Sequence, residues 1–384
     1  MAIHYISFYT NTKKRRQVSS GISKIEYMLD VLKSLDERVV AVSTASSAET
    51  GLQRGFTEGD VLYLPSLCIK GAVGRRLNLF YMQWKLFRYL MKHVSNDDLV
   101  MYYHSMSYAW PLRWARRFKR FKFIMEFNDK YSYHYTNKKK AAKVDTIEKK
   151  LIAEADAYVF ASPMMLDLTQ GNKPYTVNYG SYAPAEAQMR KKEKTLDGKV
   201  HLLYSGVLEP LRKAGELAIE AMEALPENYV LHIAGFGNEA YVSEVRRKIT
   251  EINQKKGFEA IVFHGFLNQV QLGDLMQMCD ISLSTHKYEF AWQSDLSFPS
   301  KIPLNMANGL YMVTQDLPVI FNSPFKDAIC FYGGDAPTDV AKAIRNCAET
   351  LLKEQSVIPS EIVAELDRNF RADLKEIRNA LLRR

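Results

Sequence analysis

The stretch VHLLYSGVLEPLRKAGELAIEAMEALPENYVLHIAGFG, residues 200–237, carries the clearest signal for the fold of this chain. Its two apolar runs, residues 200–206 and 229–237, both end at glycines and predict buried strands. Between them, Leu217, Ala221 and Leu225 recur on one helical face, and Pro226 marks the end of that helix. A strand, a helix and a second strand at this spacing predict a parallel sheet.

The same alternation runs through the rest of the chain. Downstream, the sequence predicts helices at residues 239–255, 269–279, 300–309 and 360–384 and strands at 260–265, 280–285 and 311–314. Upstream, it predicts helices at residues 23–35 and 75–93 and strands at 4–9, 38–43, 99–104, 122–127 and 157–162. We therefore expect an α/β chain of two Rossmann-like, doubly wound domains, residues 1–185 and 198–359, with a polar linker between Ala183 and Lys199.

The composition is that of an ordinary globular protein. With 384 residues, of which 47% are hydrophobic and 25% charged, the chain can bury normal cores. No apolar run in the sequence is long enough to span a bilayer, and the opening segment MAIHYISFYTNTKKRRQ lacks the layout of a signal peptide. We therefore expect a cytoplasmic protein. The scattered spacing of Cys68, Cys279, Cys330 and Cys347 argues against a zinc site and a disulfide framework.

The net charge of the chain indicates which kinds of partner it can bind. A formal net charge of +9 favours phosphates, anionic lipid or nucleic acid. Because the sequence shows no helix-turn-helix, zinc or RNA-binding signature, we expect no nucleic-acid partner. The cations cluster in runs that we interpret as solvated faces and loops. These runs are Lys13 to Arg16, Arg113 to Lys122, Lys138 to Lys140 and Arg190 to Lys194.

Ligands of open α/β sheets bind at the carboxyl ends of strands, so residues just after strands are the candidates for chemistry. In the first half these are Gly21, ahead of a helix, and three residues at strand ends: His104, Glu126 and Asp129. A glycine at a helix N-terminus lets the backbone approach an anion, although a simple turn explains it equally well. Each of the other three residues, taken alone, is also explained by a structural role.

In the second half, cations mark the same edge. Arg212 and Lys213 follow the strand that ends at Gly206, and a pair of cations there suits a diphosphate. Lys301 stands beside the N-terminus of a predicted helix, where the helix dipole also favours an anion. Exposed surface charge is the plain alternative for all three cations.

The helix beside Lys301 is defined by its own residues in SFPSKIPLNMANG, residues 297–309. Ser300 is a good N-cap residue, and Pro303 is compatible with the first helical turn. Gly309 can end the helix in a left-handed conformation.

Pieces throughout the chain resemble, in order, glycosyltransferase family four and its neighbours, which share the GT-B fold. The order of the whole set is stronger evidence than any single piece. The pieces are SSGISK (19–24), DAYVFASPMM (156–165), VNYGSY (177–182), LLYSGVLEPLRKAG (202–215), LHIAGFG (231–237), IVFHGFLNQVQLGDLMQMCDISL (261–283) and FPSKIPLNMANG (298–309).

The resemblance implies two domains facing across a cleft, with a UDP- or GDP-type sugar donor on the second and the acceptor on the first. It implies that the last helix, about residues 360–384, crosses back to the first domain. It assigns His104 to the active-site histidine. The implied donor-binding residues are Gly21, Gly206, Arg212, Lys213, Gly235, Ser300, Lys301 and Asn305. No carboxylate pair with ligand spacing stands out, so no metal or other cofactor is expected.

One part of the family pattern is missing. The family has two glutamates separated by seven residues, whereas Leu304 and Asn305 stand at the place of the second, and neither glutamate is retained in register. The expected activity is retaining hexosyl transfer in surface polysaccharide or glycolipid assembly. If the reaction inverts, Asp129 or Glu126 become candidate bases. The alternative is a non-catalytic protein that binds a glycan or a partner, which the missing glutamates favour and the retained cations oppose.

Two segments mix aromatic residues with cations, namely GRRLNLFYMQWKLFRYLMKH (74–93) and WPLRWARRFKRFKF (110–123). Such mixtures suit docking on anionic lipid, which would fit a lipid-linked acceptor at the inner face of a membrane. The alternative is that the aromatic residues belong to the core and the cations flank them.

Overall fold

The computed structural model describes residues 1–16, 21–35, 38–103, 105–169, 171–183, 197–210, 214–285 and 296–383. The chain forms two compact units. The first comprises Met1–Ser181 together with Asn369–Arg384, and the second comprises Tyr182–Arg368. Most of the predicted linker, residues 184–196, lies outside the described residues.

The first unit is built on a mostly parallel sheet. Its described strands are β1 (Ile3–Ser7), β2 (Val39–Ser43), β3 (Gly51–Gln53), β4 (Phe56–Glu58), β5 (Val61–Tyr63), β6 (Ser66–Cys68), β7 (Leu99–Tyr103), β8 (Lys122–Phe127), β9 (Ala157–Phe160) and β10 (Tyr175–Val177). Its helices are α1 (Ile22–Leu35), α2 (Gly71–His93), α3 (Ala109–Phe118) and α4 (Lys138–Glu154). The strand order is β10-β9-β8-β7-β1-β2-β5-β4, and β3 and β6 form a separate antiparallel pair.

The second unit is built on a parallel sheet. Its described strands are β11 (Val200–Leu208), β12 (Tyr229–Gly237), β13 (Ile261–Gly265), β14 (Ile281–Ser284), β15 (Tyr311–Gln315) and β16 (Ile329–Tyr332). Its helices are α5 (Ala214–Ala221), α6 (Glu239–Lys256), α7 (Gln269–Met278), α8 (Lys301–Ala307), α9 (Pro318–Phe321) and α10 (Pro337–Cys347), and α11 (Pro359–Leu382) follows. The strand order, β13-β12-β11-β14-β15-β16, is that of Rossmann folds, which confirms the predicted α/β class.

Helix α6 illustrates how local sequence sets these elements. The side chain of Asn238 accepts a hydrogen bond from the backbone N–H of Ala240 and caps the helix. Tyr241, Val245 and Ile249 recur every four residues and are all buried, so one face of the helix packs on the sheet. The next helix, α7, begins with a reciprocal capping box between Asn268 and Gln271.

Most predicted elements are found within a few residues of their predicted bounds, and β8 matches the KFIMEF run. Helix α2 starts at Gly71 rather than Arg75, because its first turn is exposed and carries little periodicity. In the described part of the chain, no helix is both long enough and apolar enough to cross a membrane.

Arg15 corrects the interpretation of the Lys13 to Arg16 run as solvated charge. Its side chain is buried, with its guanidinium 5.3 Å from the centre of the Phe56 ring. It donates hydrogen bonds to the carbonyl of Leu64 at 2.7 Å and to the hydroxyl of Ser66. Arg15 therefore fastens the loop after β1 to the neighbouring strands, a role that composition alone does not reveal.

The final helix contributes its second half to the first unit. Phe370 is buried and packs on Tyr27 of α1, with ring centres 6.1 Å apart. Asp373 accepts a hydrogen bond from the hydroxyl of Thr176 at 3.0 Å, and Arg371 pairs with Asp30 at 2.8 Å. These contacts tie the C-terminal residues to α1 and to β10.

Candidate functional site

The strand order of the second unit reverses between β11 and β14. In open α/β sheets, ligands bind outside the carboxyl ends of the strands at such a reversal. Lys301, the first residue of α8, reaches this edge. Its Nζ donates to the carbonyl oxygen of Ser205 in β11 at 2.5 Å and lies 5.5 Å from the centre of the Tyr204 ring. The ammonium group is thus held at the carboxyl end of β11.

The position of this ammonium group depends on Gly206. A Cβ atom at residue 206 would lie 2.3 Å from Lys301 Nζ, far inside van der Waals contact. The absence of a side chain therefore leaves the space that the lysine head occupies. Gly206 and Lys301, both predicted donor-binding residues, meet at one point.

Two further glycines let β12 approach the end of β11 closely. A Cβ atom at Gly235 would lie 2.7 Å from the carbonyl oxygen of Gly206, and one at Gly237 would lie 2.0 Å from that of Leu208. The ends of these two strands therefore lie closer together than side chains at residues 235 and 237 would allow. Such an edge favours close approach of a phosphate to the backbone.

The ends of α8 agree only in part with the prediction. Ser300 already has helical backbone angles, φ −60° and ψ −12°, and its side chain makes no capping hydrogen bond. The helix therefore begins after Ser300, as predicted, but the Ser300 side chain does not cap it, because a turn already begins at Pro299, whose carbonyl accepts from the N–H of Ile302 at 3.0 Å. Gly309 ends the helix with a φ of +75°, as predicted.

Asn305 lies in the interior rather than at the ligand edge. Its side chain is buried and donates to the hydroxyl of Ser282 at 2.8 Å, which ties α8 to β14. Its neighbour Leu304 packs against a buried apolar cluster that includes Leu203 and Leu275. The positions where the family pattern has a glutamate are thus used for packing here. This placement corrects the expectation that Asn305 contacts the donor.

Three predicted residues lie outside the described part of the chain. Arg212 and Lys213 fall between β11 and α5, and His104 directly follows β7. Their predicted roles stay predictions.

Gln315 is a residue that the sequence reasoning missed. It ends β15 at the same edge of the sheet, its side chain is fully buried, and neither amide atom has a hydrogen-bond partner among the described residues. A buried amide without partners needs an explanation such as a ligand or water. In the sequence, Gln315 could have been found as a polar residue at the end of a predicted strand.

At the corresponding edge of the first unit, Gly21 directly precedes α1 with a φ of +84°. Its carbonyl accepts from the N–H of Ile25 at 3.0 Å, so it starts the helix as predicted. A Cβ atom at Gly21 would lie 3.0 Å from the hydroxyl oxygen of Tyr103, the last residue of β7. The glycine therefore allows the helix start to sit against the end of that strand.

Beneath this edge lies a group of polar residues, four of them buried and Asn128 half-buried, which we call the buried polar cluster: Tyr5, Lys24, Glu126, Asn128 and Asn178. Glu126 is fully buried and accepts a hydrogen bond from the hydroxyl of Tyr5 at 2.7 Å. Lys24 Nζ lies 4.0 Å from the Glu126 carboxylate and donates to Asn128 Oδ1 at 2.6 Å and to the carbonyl of Asn178 at 2.9 Å. The cluster joins α1, β1, β8 and the segment after β10.

Burial controls the protonation of this cluster. Desolvation lowers the pKa of Lys24 to about 8, although the Glu126 carboxylate opposes the shift. Desolvation also raises the pKa of Glu126, and Lys24 opposes that shift in turn. Because the Glu126 side chain is fully buried, it is not accessible to an acceptor hydroxyl. This corrects the expectation of Glu126 as a candidate base and makes it a structural residue.

Asp129 lies just beyond the cluster and is half-buried. Its charge contributes, after burial and Glu126, to the raised pKa of Tyr103. It is therefore close to the end of β7, where the first unit would meet a ligand. Its role as a base stays a prediction.

The comparisons with known proteins agree with this geometry. The family model of glycosyl transferases group 1 matches residues 185–346. No curated protein is matched by the sequence. Among solved structures, HepE of Anabaena in complex with UDP is similar with a TM-score of 0.67 and 14% identity, covering 99% of this chain and 99% of that chain.

Two synthases have the same fold. The α,α-trehalose 6-phosphate synthase of Burkholderia multivorans has a TM-score of 0.64 and 12% identity, covering 100% of this chain and 96% of its own. The sucrose-phosphate synthase of Thermosynechococcus elongatus has a TM-score of 0.61 and 14% identity, covering 99% of this chain and 96% of its own. These findings confirm the resemblance that the ordered sequence pieces indicated. The chain therefore has the GT-B fold, and its residues 185–346 match the family model of glycosyl transferases group 1.

Proposed function

We propose that this protein transfers a sugar from a nucleoside diphosphate donor to an acceptor hydroxyl, with the donor diphosphate bound at the carboxyl edge of the second unit. The observation that carries the proposal is the position of Lys301. Its ammonium group sits beside Gly206 at the point where the strand order reverses. A cation there, next to a glycine-lined edge, suits a diphosphate.

The chemistry follows from the charge on the leaving group. As the glycosidic bond breaks, negative charge grows on the departing diphosphate, and a fixed cation stabilises it more in the transition state than in the bound donor. Lys301 supplies that charge, and Arg212 and Lys213, which follow β11 in the sequence, are proposed to add to it. In retaining transfer, the departing phosphate takes the acceptor proton, so no separate base and no further cofactor is needed.

The donor and acceptor classes are proposed by analogy with the structural neighbours. HepE is solved with UDP and with UDP-glucose, so a UDP-hexose is the first donor to test, ahead of a GDP-sugar. Another neighbour, a trehalose-phosphate synthase of Burkholderia xenovorans, is solved with glucose-6-phosphate, which supports a sugar acceptor. We propose a glycan or lipid-linked sugar of polysaccharide or glycolipid assembly, reached at the cytoplasmic face of a membrane.

A donor panel tests the proposal. Release of nucleoside diphosphate from UDP- and GDP-hexoses is measured for the unmodified protein, for Lys301→Ala and for the control Lys342→Ala on α10. We expect Lys301→Ala to lower turnover by roughly 100-fold or more, as for other lost transition-state contacts, and the control to keep it. Circular dichroism should show the same fold in all three proteins.

A rival function is binding of a glycan or partner without catalysis, which the loss of both family glutamates favours. The same panel separates the two. If no donor is turned over, or if Lys301→Ala turns over a true donor as fast as the unmodified protein, the site assignment fails.

A further inference from the structure

The outer surface of α2 and α3 presents apolar side chains to solvent. Helix α2 buries one face through Met82, Leu86 and Leu90, as a packed helix should. Its opposite side exposes Val73, Leu77, Phe80 and Trp84, which recur at helical spacing. A helix with two apolar faces needs a second partner, because one of them stays in water.

Helix α3 extends this exposed surface. Trp110, Trp114 and Phe118 recur every four residues and are 39%, 43% and 63% exposed. The Trp110 ring lies 5.9 Å from Phe87 of α2 and 6.0 Å from Trp114, measured between ring centres. Phe87, Trp110 and Trp114 thus form a row of rings that joins the two helices. We call the aromatic side chains on these faces the aromatic ridge, and its members are Phe80, Trp84, Phe87, Trp110, Trp114 and Phe118.

The charges around the aromatic ridge have one sign. Neither of these two fully described helices contains an aspartate or a glutamate. Lys85 and Arg88 lie 4.7 Å and 5.0 Å from the Trp84 ring, and Arg117 lies 5.5 Å from the Trp114 ring. Aromatic rings with cations stacked on them place apolar and positive groups at the same depth.

A basic depression of about 410 Å³ adjoins the ridge at the end of α3. Two of its cations are neutralised, since Arg113 pairs with Glu154 and Arg116 with Asp156, each at 2.8 Å. Its other cations include Arg117, Arg120 and Lys122, which have no carboxylate within 4.0 Å among the described residues. The depression therefore offers uncompensated positive charge to a phosphate group beside the apolar rings.

We propose that the aromatic ridge and its adjoining basic depression dock the protein on an anionic lipid bilayer. A bilayer satisfies both features at once, because its acyl region takes the rings and aliphatic side chains while its headgroups meet the cations. Exposed Val73 and Leu77 would gain nothing from nucleic acid. None of the residues assigned to the donor lies on α2 or α3, so this inference goes beyond the proposed function and its test needs no turnover.

Co-sedimentation of the full chain with vesicles tests the proposal. We expect binding to vesicles of phosphatidylcholine with phosphatidylglycerol and little to phosphatidylcholine alone, weakening as salt rises. Tryptophan fluorescence should shift to the blue on binding, because three of the chain's four tryptophans lie on the ridge.

Two double variants separate the contributions. Arg117→Gln/Arg120→Gln should bind anionic vesicles at least about fivefold more weakly, since one cation near such a surface is worth about 1 kcal/mol. Phe80→Ser/Phe118→Ser should weaken binding while leaving all the tryptophans as reporters. The matched control is Phe321→Ser/Arg247→Gln in the second unit, where the two side chains are 54% and 61% exposed. It should bind as the unmodified protein does.

Several results would overturn the inference. These are equal binding to both vesicle types, binding to neither, and vesicle binding that neither the arginine double variant nor the phenylalanine double variant weakens. A single-stranded RNA oligonucleotide bound in place of vesicles would assign the surface to nucleic acid. Dimers in light scattering that the ridge variants disperse, without vesicle binding, would assign it to a second copy of the chain.

Discussion

The two units use the carboxyl edges of their sheets differently. In the second unit, glycines let the ends of β11 and β12 approach closely, and the Lys301 ammonium group lies at this edge. In the first unit, the space beneath the edge is filled by the protein's own lysine, carboxylate and tyrosine, linked in the buried polar cluster. The same sheet geometry therefore presents a cation and glycines at the edge in one unit and accommodates internal polar packing in the other.

Three histidines form a row of titratable groups across the sheet of the second unit. His201, His232 and His264 run across β11, β12 and β13, with ring nitrogens 2.9 Å and 3.0 Å apart. Asp197 continues the row at 3.2 Å from His201. His201 and His232 lie in the amino-terminal halves of their strands. In both units, buried polar side chains thus hydrogen-bond to one another inside the fold.

The largest effect should come from breaking the buried polar cluster. Glu126→Ala leaves Lys24 buried without its carboxylate, so we expect a loss of about 3–5 kcal/mol in the free energy of unfolding. Urea unfolding measures it, with the exposed Glu361→Ala as control. The double variant Lys24→Met/Glu126→Leu should recover much of the loss, because it removes both charges together. Equal stability of Glu126→Ala and the unmodified protein would show that the cluster is not structural.

The histidine row should make the second unit sensitive to acid. Burial, with the neighbouring His201 and His264, lowers the pKa of His232 from 6.5 to about 4. The unfolded chain therefore binds more protons than the folded one between these values, so stability falls as the pH drops from 6.5 towards 4. The loss should reach about 3 kcal/mol. Unfolding measured across this range should show a shallower pH slope for His232→Phe, and an identical slope would exclude the row as its source.

The contact between residue 206 and the Lys301 ammonium group can be tested by comparing the effects of single and double substitutions on turnover. A methyl group at residue 206 must displace Lys301 Nζ by roughly 1 Å, and a misplacement of that size can cost about 100-fold in rate. We expect Gly206→Ala to lower turnover strongly. In the Lys301→Ala background, the same substitution should cost less, because the displaced group is gone and only the backbone strain at a φ of +158° remains. Additive losses, measured as kcat/KM, would mean that Gly206 acts on its own.

The smallest effect should follow from changing Asp129. If transfer retains the anomeric configuration, the phosphate takes the proton and Asp129→Asn keeps turnover within about tenfold. A general base would instead contribute roughly 10²- to 10⁴-fold. Turnover of Asp129→Asn, together with the anomeric configuration of the product by NMR, decides between the two. A large loss with an inverted product would make Asp129 the base and overturn the retaining assignment.

The fold class and the strand ends at which the site is proposed could be predicted from the sequence. Alternating apolar runs and helical periodicity predicted the two parallel sheets, because strands buried on both faces must be apolar along their whole length. Gly206, Gly235 and Lys301 were predicted because strand ends converge at one edge of such a sheet, and the structure places Gly206 and Lys301 together there. Gly309 was found because only a few residue types adopt a left-handed backbone.

Packing between distant segments, in contrast, sets which polar residues lie at the edge of a sheet and which are buried in the core. Glu126 and Asn305 stand beside strand and helix ends in the sequence, yet both are buried, and Arg15 is buried within a run of cations. Lys24 and Gln315 gave no periodic signal, because a single buried polar residue has partners distant along the chain. Burial is a property of the packed chain, since it depends on which distant segments cover a side chain, and local sequence does not record that.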